Sequence, residues 1–224
     1  MQPSPPEPGN TFTPAPRPNL LAGQQLPPPP QQERSRRKRH ALLQSALALF
    51  AQRGYEDTTI EDIARQAGVA VGGFYQHFAS KRQILIVLMD SLAQDAASVT
   101  LELTGTDRHA IRDALARLIR QAFQIDWAYV GVYRAWREAA VRDRELQTLY
   151  QQIETWVVQQ ITLLFQALLH LPGARPNVDS ATLAWEIALL LLRLSETPLP
   201  DPNPIVASLT HLIYHALFTD AAAP

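Results

Sequence analysis

Apolar residues recur at helical spacing along most of this chain, and no stretch shows the strict alternation expected of a half-buried strand. Leu43, Ala46, Leu47 and Phe50 stand at i, i+3, i+4 and i+7, which predicts a first helix packing over two shorter ones downstream. Ile60, Ile63, Ala64 and Ala67 repeat that spacing, with Glu61, Asp62, Arg65 and Gln66 on the wet side. Thr58 and Glu61 have the spacing of a capping box, so this second helix is expected to begin near Thr59. Gly68 stops it, because glycine accepts the positive φ common at helix ends. Beyond it Val69, Phe74 and Phe78 are expected to point inward, with Tyr75, Gln76 and His77 on other faces. Ser80 caps a fourth helix carrying Ile84, Leu85, Leu88 and Leu92 as far as about Val99. Further helices are predicted near 108–128, 130–140, 144–170, 179–196 and 203–219, with glycine or proline in the breaks at 104–107, 171–178 and 197–204. The expectation is an all-α chain of ten or so helices: a small N-terminal helix-turn-helix domain and a larger apolar helical domain.

The stretch from Thr58 to Lys81, TTIEDIARQAGVAVGGFYQHFASK, reads as the helix-turn-helix. Two short helices surround one turn, and the second carries its polarity outward, as an element entering a major groove requires. Leu47, Phe50, Ala51, Gly54 and Tyr55, in LALFAQRGY, precede it. With the run from Thr58 to Val69, and with Gly72, Phe74, Tyr75, His77, Phe78, Ser80 and Lys81, they resemble the DNA-binding domain of TetR-type transcriptional regulators. The resemblance begins near Arg37 and keeps register over about fifty residues, which makes it far more specific than one short motif.

That resemblance implies a homodimeric regulator with double-stranded DNA as partner, and it assigns roles residue by residue. Thr58 and Thr59 are expected at phosphates, with Tyr75, His77 and Lys81 as further phosphate candidates. Val71 is expected to meet a thymine methyl and Gln76 an adenine. Two positions depart from the family pattern. Ala70 stands where serine is common, which removes a capping hydroxyl, and Gly73 follows Gly72 where a larger residue is usual. Each glycine costs about 1 kcal/mol of helix propensity relative to alanine. The recognition helix, with Ala70, Val71 and Gly72 at its start, is thus expected to be intrinsically weak. The fourth helix is the expected lever between the two domains.

Composition refines this picture. The 224 residues are 46% hydrophobic and include no cysteine, which excludes disulfides and cysteine–zinc sites. No apolar run is long enough to cross a bilayer and the N-terminus lacks a signal core, so a cytoplasmic protein is expected. The net charge of −1 hides an asymmetry. Residues 31–90 hold nine Lys and Arg against six acids, and 91–224 hold ten against fourteen. The positive share lies with the helix-turn-helix. Arg36, Arg37, Lys38 and Arg39 lead into the first helix, either as a solvated helix start or, as their position favours, as phosphate or minor-groove contacts. Residues 1–30 hold eleven of the eighteen prolines. They predict a disordered or polyproline-like arm over 1–32, a passive tail or a ligand for a proline-recognition module. The helix-turn-helix is then expected over 33–80, the larger domain over 81–219 and a short tail over 220–224.

In the C-terminal part, Ala184, Ile187, Ala188, Leu191 and Leu192, and then Val206, Leu209, Leu212, Ile213, Ala216 and Leu217, form wide apolar faces. A four-helix dimer interface through Ile187, Leu191, Leu209, Leu212, Ile213 and Ala216 would bury them; an ordinary intrachain core is the alternative. All four tryptophans lie in this part. Phe123, Trp127, Tyr133, Trp136, Trp156 and Trp185 are candidate walls of a pocket for an apolar or aromatic effector, with Arg134 or Arg137 to orient a carboxylate; for any single aromatic, core packing is the competing reading. His211 and His215 have chelating spacing without a third ligand, so no metal is expected, and no cofactor. No nucleophile signature, phosphate-cradling loop or paired-carboxylate motif is present, which argues against an enzyme. The expected function is a repressor released from a palindromic operator by a small molecule. The alternatives are a constitutive DNA-binding regulator without effector, and a carrier or enzyme on a helical scaffold.

Overall fold

The structure, a computed structural model, describes residues 14–195 and 199–219. Among them are nine helices: α1 (Glu33–Arg53), α2 (Ile60–Gln66), α3 (Val71–Tyr75), α4 (Lys81–Ala97), α5 (Arg108–Ala128), α6 (Val130–Ala140), α7 (Arg144–Leu168), α8 (Ser180–Ser195) and α9 (Asn203–Leu217). No strand occurs among these residues; an isolated bridge pairs Ala174 with Phe218. The expected tail at 220–224 and residues 1–13 of the expected arm lie outside the described residues.

Side-chain caps start most of the helices. Asp107 accepts from the backbone N–H of His109 and Ala110, Asp143 from those of Glu145 and Leu146, and Asp179 from those of Ala181 and Thr182. Ser80 caps α4 as expected, accepting from Gln83 N–H at 3.2 Å. The capping box of α2 is one residue later than its spacing suggested. Thr59 accepts from Asp62 N–H at 3.1 Å, and the Asp62 carboxylate accepts from the Thr59 N–H and hydroxyl. Thr58 is fully buried, its hydroxyl donating to the Gly54 carbonyl at 2.7 Å. That bond holds the turn before α2 and removes Thr58 from its cap.

Two apolar clusters build the molecule. One joins α1, α2, α3, α4, α6 and the first half of α7; the other joins α5, the second half of α7, α8 and α9. On α1 the deeply buried positions are Leu42, Ser45, Ala46, Leu49 and Phe50, while the expected Leu43 and Leu47 are only partly buried. The stripe is rotated because α6, in addition to α2 and α4, packs against α1. At that crossing a Cβ on Gly131 would stand 2.4 Å from the Leu47 carbonyl oxygen and 2.7 Å from the Ala51 nitrogen, so only glycine permits the approach.

Residues 14–31 depart most from expectation. They are described, and they form a strap packed on the helices. Leu20 is fully buried in the first cluster, and Ala15 lies at its edge. Arg17 pairs with Asp90 of α4. Trp156 Nε1 and Gln160 Nε2 of α7 both donate to the Ala15 carbonyl, at 3.2 and 2.8 Å. Further along, Gln24 reaches Glu145 and Arg82, and Gln83 Nε2 donates to the Gln25 carbonyl at 2.8 Å. The strap thus runs from residue 160 towards 145 on α7 and from 90 towards 82 on α4, antiparallel to both. Proline forbids a helix here, yet an extended chain with two adjacent leucines still has apolar surface to bury. With the strap in place, every residue of α4 from Ile84 to Asp90 is buried, including Ile86, Val87 and Met89, which a one-sided stripe leaves wet.

The apolar faces of α8 and α9 are also mostly internal. Ile187, Leu209 and Ile213 are buried within the chain against α5 and α7. Leu191 and Ala216 are partly buried, and Leu212 remains exposed. The exposed apolar residues are instead Trp185, Leu189 and Leu190 on α8 with Leu212 on α9.

Candidate DNA interface and effector cavity

The helix-turn-helix face follows from which residues the turn consumes. Phe74 and Phe78 are fully buried and fix α3 against α1 and α2. Ala70, the uncapped start of α3, is exposed, together with Val71, Gly72, Tyr75 and Gln76. Tyr75 is 53% exposed although it packs edge-on against Phe74. Thr59 is exposed at the α2 start, its hydroxyl engaged in the capping box with Asp62.

Three expected phosphate contacts have other work. Thr58 is buried, with its hydroxyl committed to the Gly54 carbonyl. His77 is only 6% exposed, and burial, then the charges of Arg39 and Lys38, push its imidazole below the usual histidine value. Lys81 donates from Nζ to the carbonyls of Tyr55 and Thr58, the latter at 2.8 Å, and stands 4.2 Å from the Tyr55 ring centroid. Burial lowers its ammonium pKa, with nearby acids opposing. Thr58 and Lys81 hold the α1–α2 turn closed.

The basic run divides similarly. Arg36 and Arg37 are exposed, reaching the Gln31 carbonyl and Glu33. Lys38 is half-buried, and the half-buried Arg39 lies 5.1 Å from the Phe78 ring centroid. Across the module, Glu138 of α6 accepts from the Tyr55 N–H at 2.6 Å and pairs with Arg134, which also donates to the Ala51 carbonyl. Arg134 therefore faces α1 rather than the expected effector pocket. Gly54, at φ 86°, ends α1 where a Cβ would meet the Glu138 carboxylate.

A cavity of about 180 Å³ lies between α4, α5, α7, α8 and α9. Its walls include Leu92, Ala93 and Ala96 of α4, Leu115 and Ile119 of α5, and Ile187 and Ile213. Of the six expected pocket residues, Tyr133 and Trp156 line it. Phe123 and Trp127 stack on each other beside it, the indole of Trp127 donating to the Leu194 carbonyl at 3.3 Å. Trp136 is fully buried in the other cluster, bonded to the Leu146 carbonyl, and Trp185 is 55% exposed. Tyr133 donates to Asp126 at 2.8 Å, and burial, then the Asp126 charge, raises its phenol pKa well above normal. Apolar cavities of about 150 Å³ admit benzene, so the space suits a single ring or a short branched chain.

Residues 42–88 match the family profile of bacterial regulatory proteins of the tetR family. The chain is 30% identical over 158 residues to the transcriptional regulator BetI of Agrobacterium fabrum, covering 69% of this chain and 73% of that one. It belongs to the TetR family. A second relative, the transcriptional repressor KstR2 of Rhodococcus jostii, is 32% identical over 99 residues, or 43% of this chain; the match spans about half, 48%, of that protein's length. Among solved structures, a SmeT–triclosan complex shares the TetR fold at a TM-score of 0.59 and 18% identity, covering 84% of this chain and 95% of that one. The TetR assignment makes the protein a transcriptional regulator rather than an enzyme. Among the described residues no helix is long and apolar enough to cross a membrane, and no group of three or more His, Asp or Glu is placed to hold a metal.

Several residues of this TetR-type chain escaped sequence reasoning. Asp126 and Gly131 were legible only as an acid and a glycine inside apolar helices. Asp90, Arg17 and Gln160 gave no signal because their partners are 73 and 145 residues distant in sequence. The one available sign of the strap was Leu20 and Leu21, an apolar island between prolines.

Proposed function

We propose that the protein is a cytoplasmic homodimeric repressor that grips a palindromic operator and leaves it when an apolar or aromatic small molecule fills the cavity. The carrying observation is α4. Its N-terminus is tied to the helix-turn-helix through Lys81, and its last turns, at Leu92, Ala93 and Ala96, form a cavity wall. A ligand that changes the packing there shifts the helix on which the DNA-binding unit rests. If ligand and DNA favour different α4 positions, each weakens the other by a shared coupling energy, typically about 1–3 kcal/mol.

In this reading α3 lies in the major groove, with Val71, Tyr75 and Gln76 at base edges or backbone and Thr59, Arg36 and Arg37 at phosphates. The domains then divide near residue 80. The exposed apolar residues Trp185, Leu189, Leu190 and Leu212 supply the dimer face, which sets the two α3 helices about 34 Å apart on successive grooves. Selection of binding sites from random duplex tests this. An inverted repeat bound by a dimer is the expected result, with affinity falling steeply as salt rises and falling when a small aromatic compound is added. Equal affinity for all duplexes would overturn it.

A further inference from the structure

The strap ends on the wall of the cavity. Trp156 and Gln160 both line that space, and each gives a side-chain N–H to one backbone carbonyl, that of Ala15: the indole's single donor and one of the two amide N–H groups of Gln160. The other polar pair there, Tyr133 and Asp126, is already joined. The remaining walls are almost wholly apolar, and helical backbone N–H groups are satisfied within their helices. A ligand that brings a hydrogen-bond acceptor into this space therefore finds donors at Trp156 and Gln160, in competition with the strap. An acceptor buried without a donor is strongly disfavoured, whereas the Ala15 carbonyl, once released, is hydrated. Pro14, Pro16 and Pro18 have no N–H to contribute, so this part of the strap is held by its carbonyl, by Leu20 and by the Arg17–Asp90 pair. Its far end joins Arg82 and Gln83, beside the lysine that closes the α1–α2 turn.

We propose that residues 14–26 are a ligand-released latch: an apolar ligand carrying one carbonyl-type acceptor takes the Trp156 and Gln160 donors from Ala15, and the freed strap uncovers α4. The proposal rests on the reading of the cavity as the effector site. With the strap on, α4 is buried on all sides from Ile84 to Asp90 and held in one position; with it off, one face is open and the helix can shift.

The chain has no cysteine, so Ala22→Cys, at an exposed strap position, carries a unique nitroxide in the full-length protein. Acetophenone and ethylbenzene serve as matched probes with and without an acceptor. Both are expected to raise the melting temperature, and acetophenone alone to mobilise the label. Stabilisation by acetophenone without a change at the label overturns the latch and leaves the cavity reading standing. Equal mobilisation by both overturns the acceptor chemistry, and stabilisation by neither removes the cavity reading and the latch with it. Without ligand, Arg17→Ala is expected to mobilise the label and to weaken binding to the selected operator several-fold, with Arg17→Lys restoring both. Trp156→Phe, which keeps an aromatic ring but loses the donor, is expected to act in the same direction. A mobile strap with unchanged operator affinity in both variants would make the strap mere packing and overturn the proposal.

Discussion

The helix-turn-helix and the helical body use their conspicuous residues in opposite ways. In the small module, polar side chains that suggest DNA contact are partly consumed by its own architecture: Thr58 bonds Gly54, and Lys81 bonds Tyr55 and Thr58. Of the groups left facing out, Val71 and Tyr75 sit on a five-residue helix with two glycines and no side-chain cap at its start, and Gln76 follows as its C-cap. In the body the conspicuous residues are aromatic, and most are consumed by packing. Trp136 is sealed in the core and Trp127 stacks on Phe123, while the cavity is walled largely by Leu, Ile and Ala. In both regions many of the rarer, chemically distinctive side chains serve the scaffold.

Tryptophan gives the largest test of this contrast. Trp136→Ala should cost about 3–5 kcal/mol in a denaturant titration, the usual result of emptying a large buried site. Trp185→Ala, at an exposed position, should stay within about 0.5 kcal/mol for the monomer while weakening self-association in sedimentation. Similar losses of monomer stability at both would erase the distinction. Gly131→Ala comes next: its methyl meets backbone of α1, which cannot yield as a side-chain tip can, and about 1–3 kcal/mol should be lost with the α1–α6 crossing.

Lys81→Met should lower stability by about 1.5 kcal/mol through the lost charged hydrogen bonds and weaken binding to all DNA sequences alike. Gln76→Ala should leave stability unchanged and alter base preference at particular operator positions, by about 1–3 kcal/mol. A selective loss with Lys81→Met, or an unselective one with Gln76→Ala, would contradict the division between a turn-closing lysine and a base-reading glutamine. The smallest effect is electrostatic. His77 has a folded-state pKa below its unfolded value, so its contribution to stability is complete above about pH 6.5 and is lost as pH falls through the lower folded value. His77→Gln should flatten that part of the stability profile, measured by chemical denaturation across about pH 5–8.

Legibility followed locality. The start of α4 at Ser80, the break at Gly68, and α5 and α6 were readable because capping, positive φ and helical period act within a few residues. The Thr59–Asp62 box was misplaced by one position because adjacent threonines and acids offer two registers, and burial of Thr58 chose between them. On α8 and α9, width of the apolar face did not reveal whether Ile187, Leu209 and Ile213 meet a partner subunit or their own chain. They meet α5 and α7. The cavity was less readable still, since a void is defined by what surrounding elements fail to fill.

What the chain's sequence determined alone was its helical class, most helix limits and the TetR-type motif, all set by interactions spanning one or two turns. Tertiary structure decided which hydroxyls and cations are buried and which lie exposed, where the cavity lies, and that a proline-rich segment is a packed strap. Those outcomes depend on partners as far apart as Ala15 and Gln160, whose meeting is settled by competition for buried surface and hydrogen bonds across the whole fold.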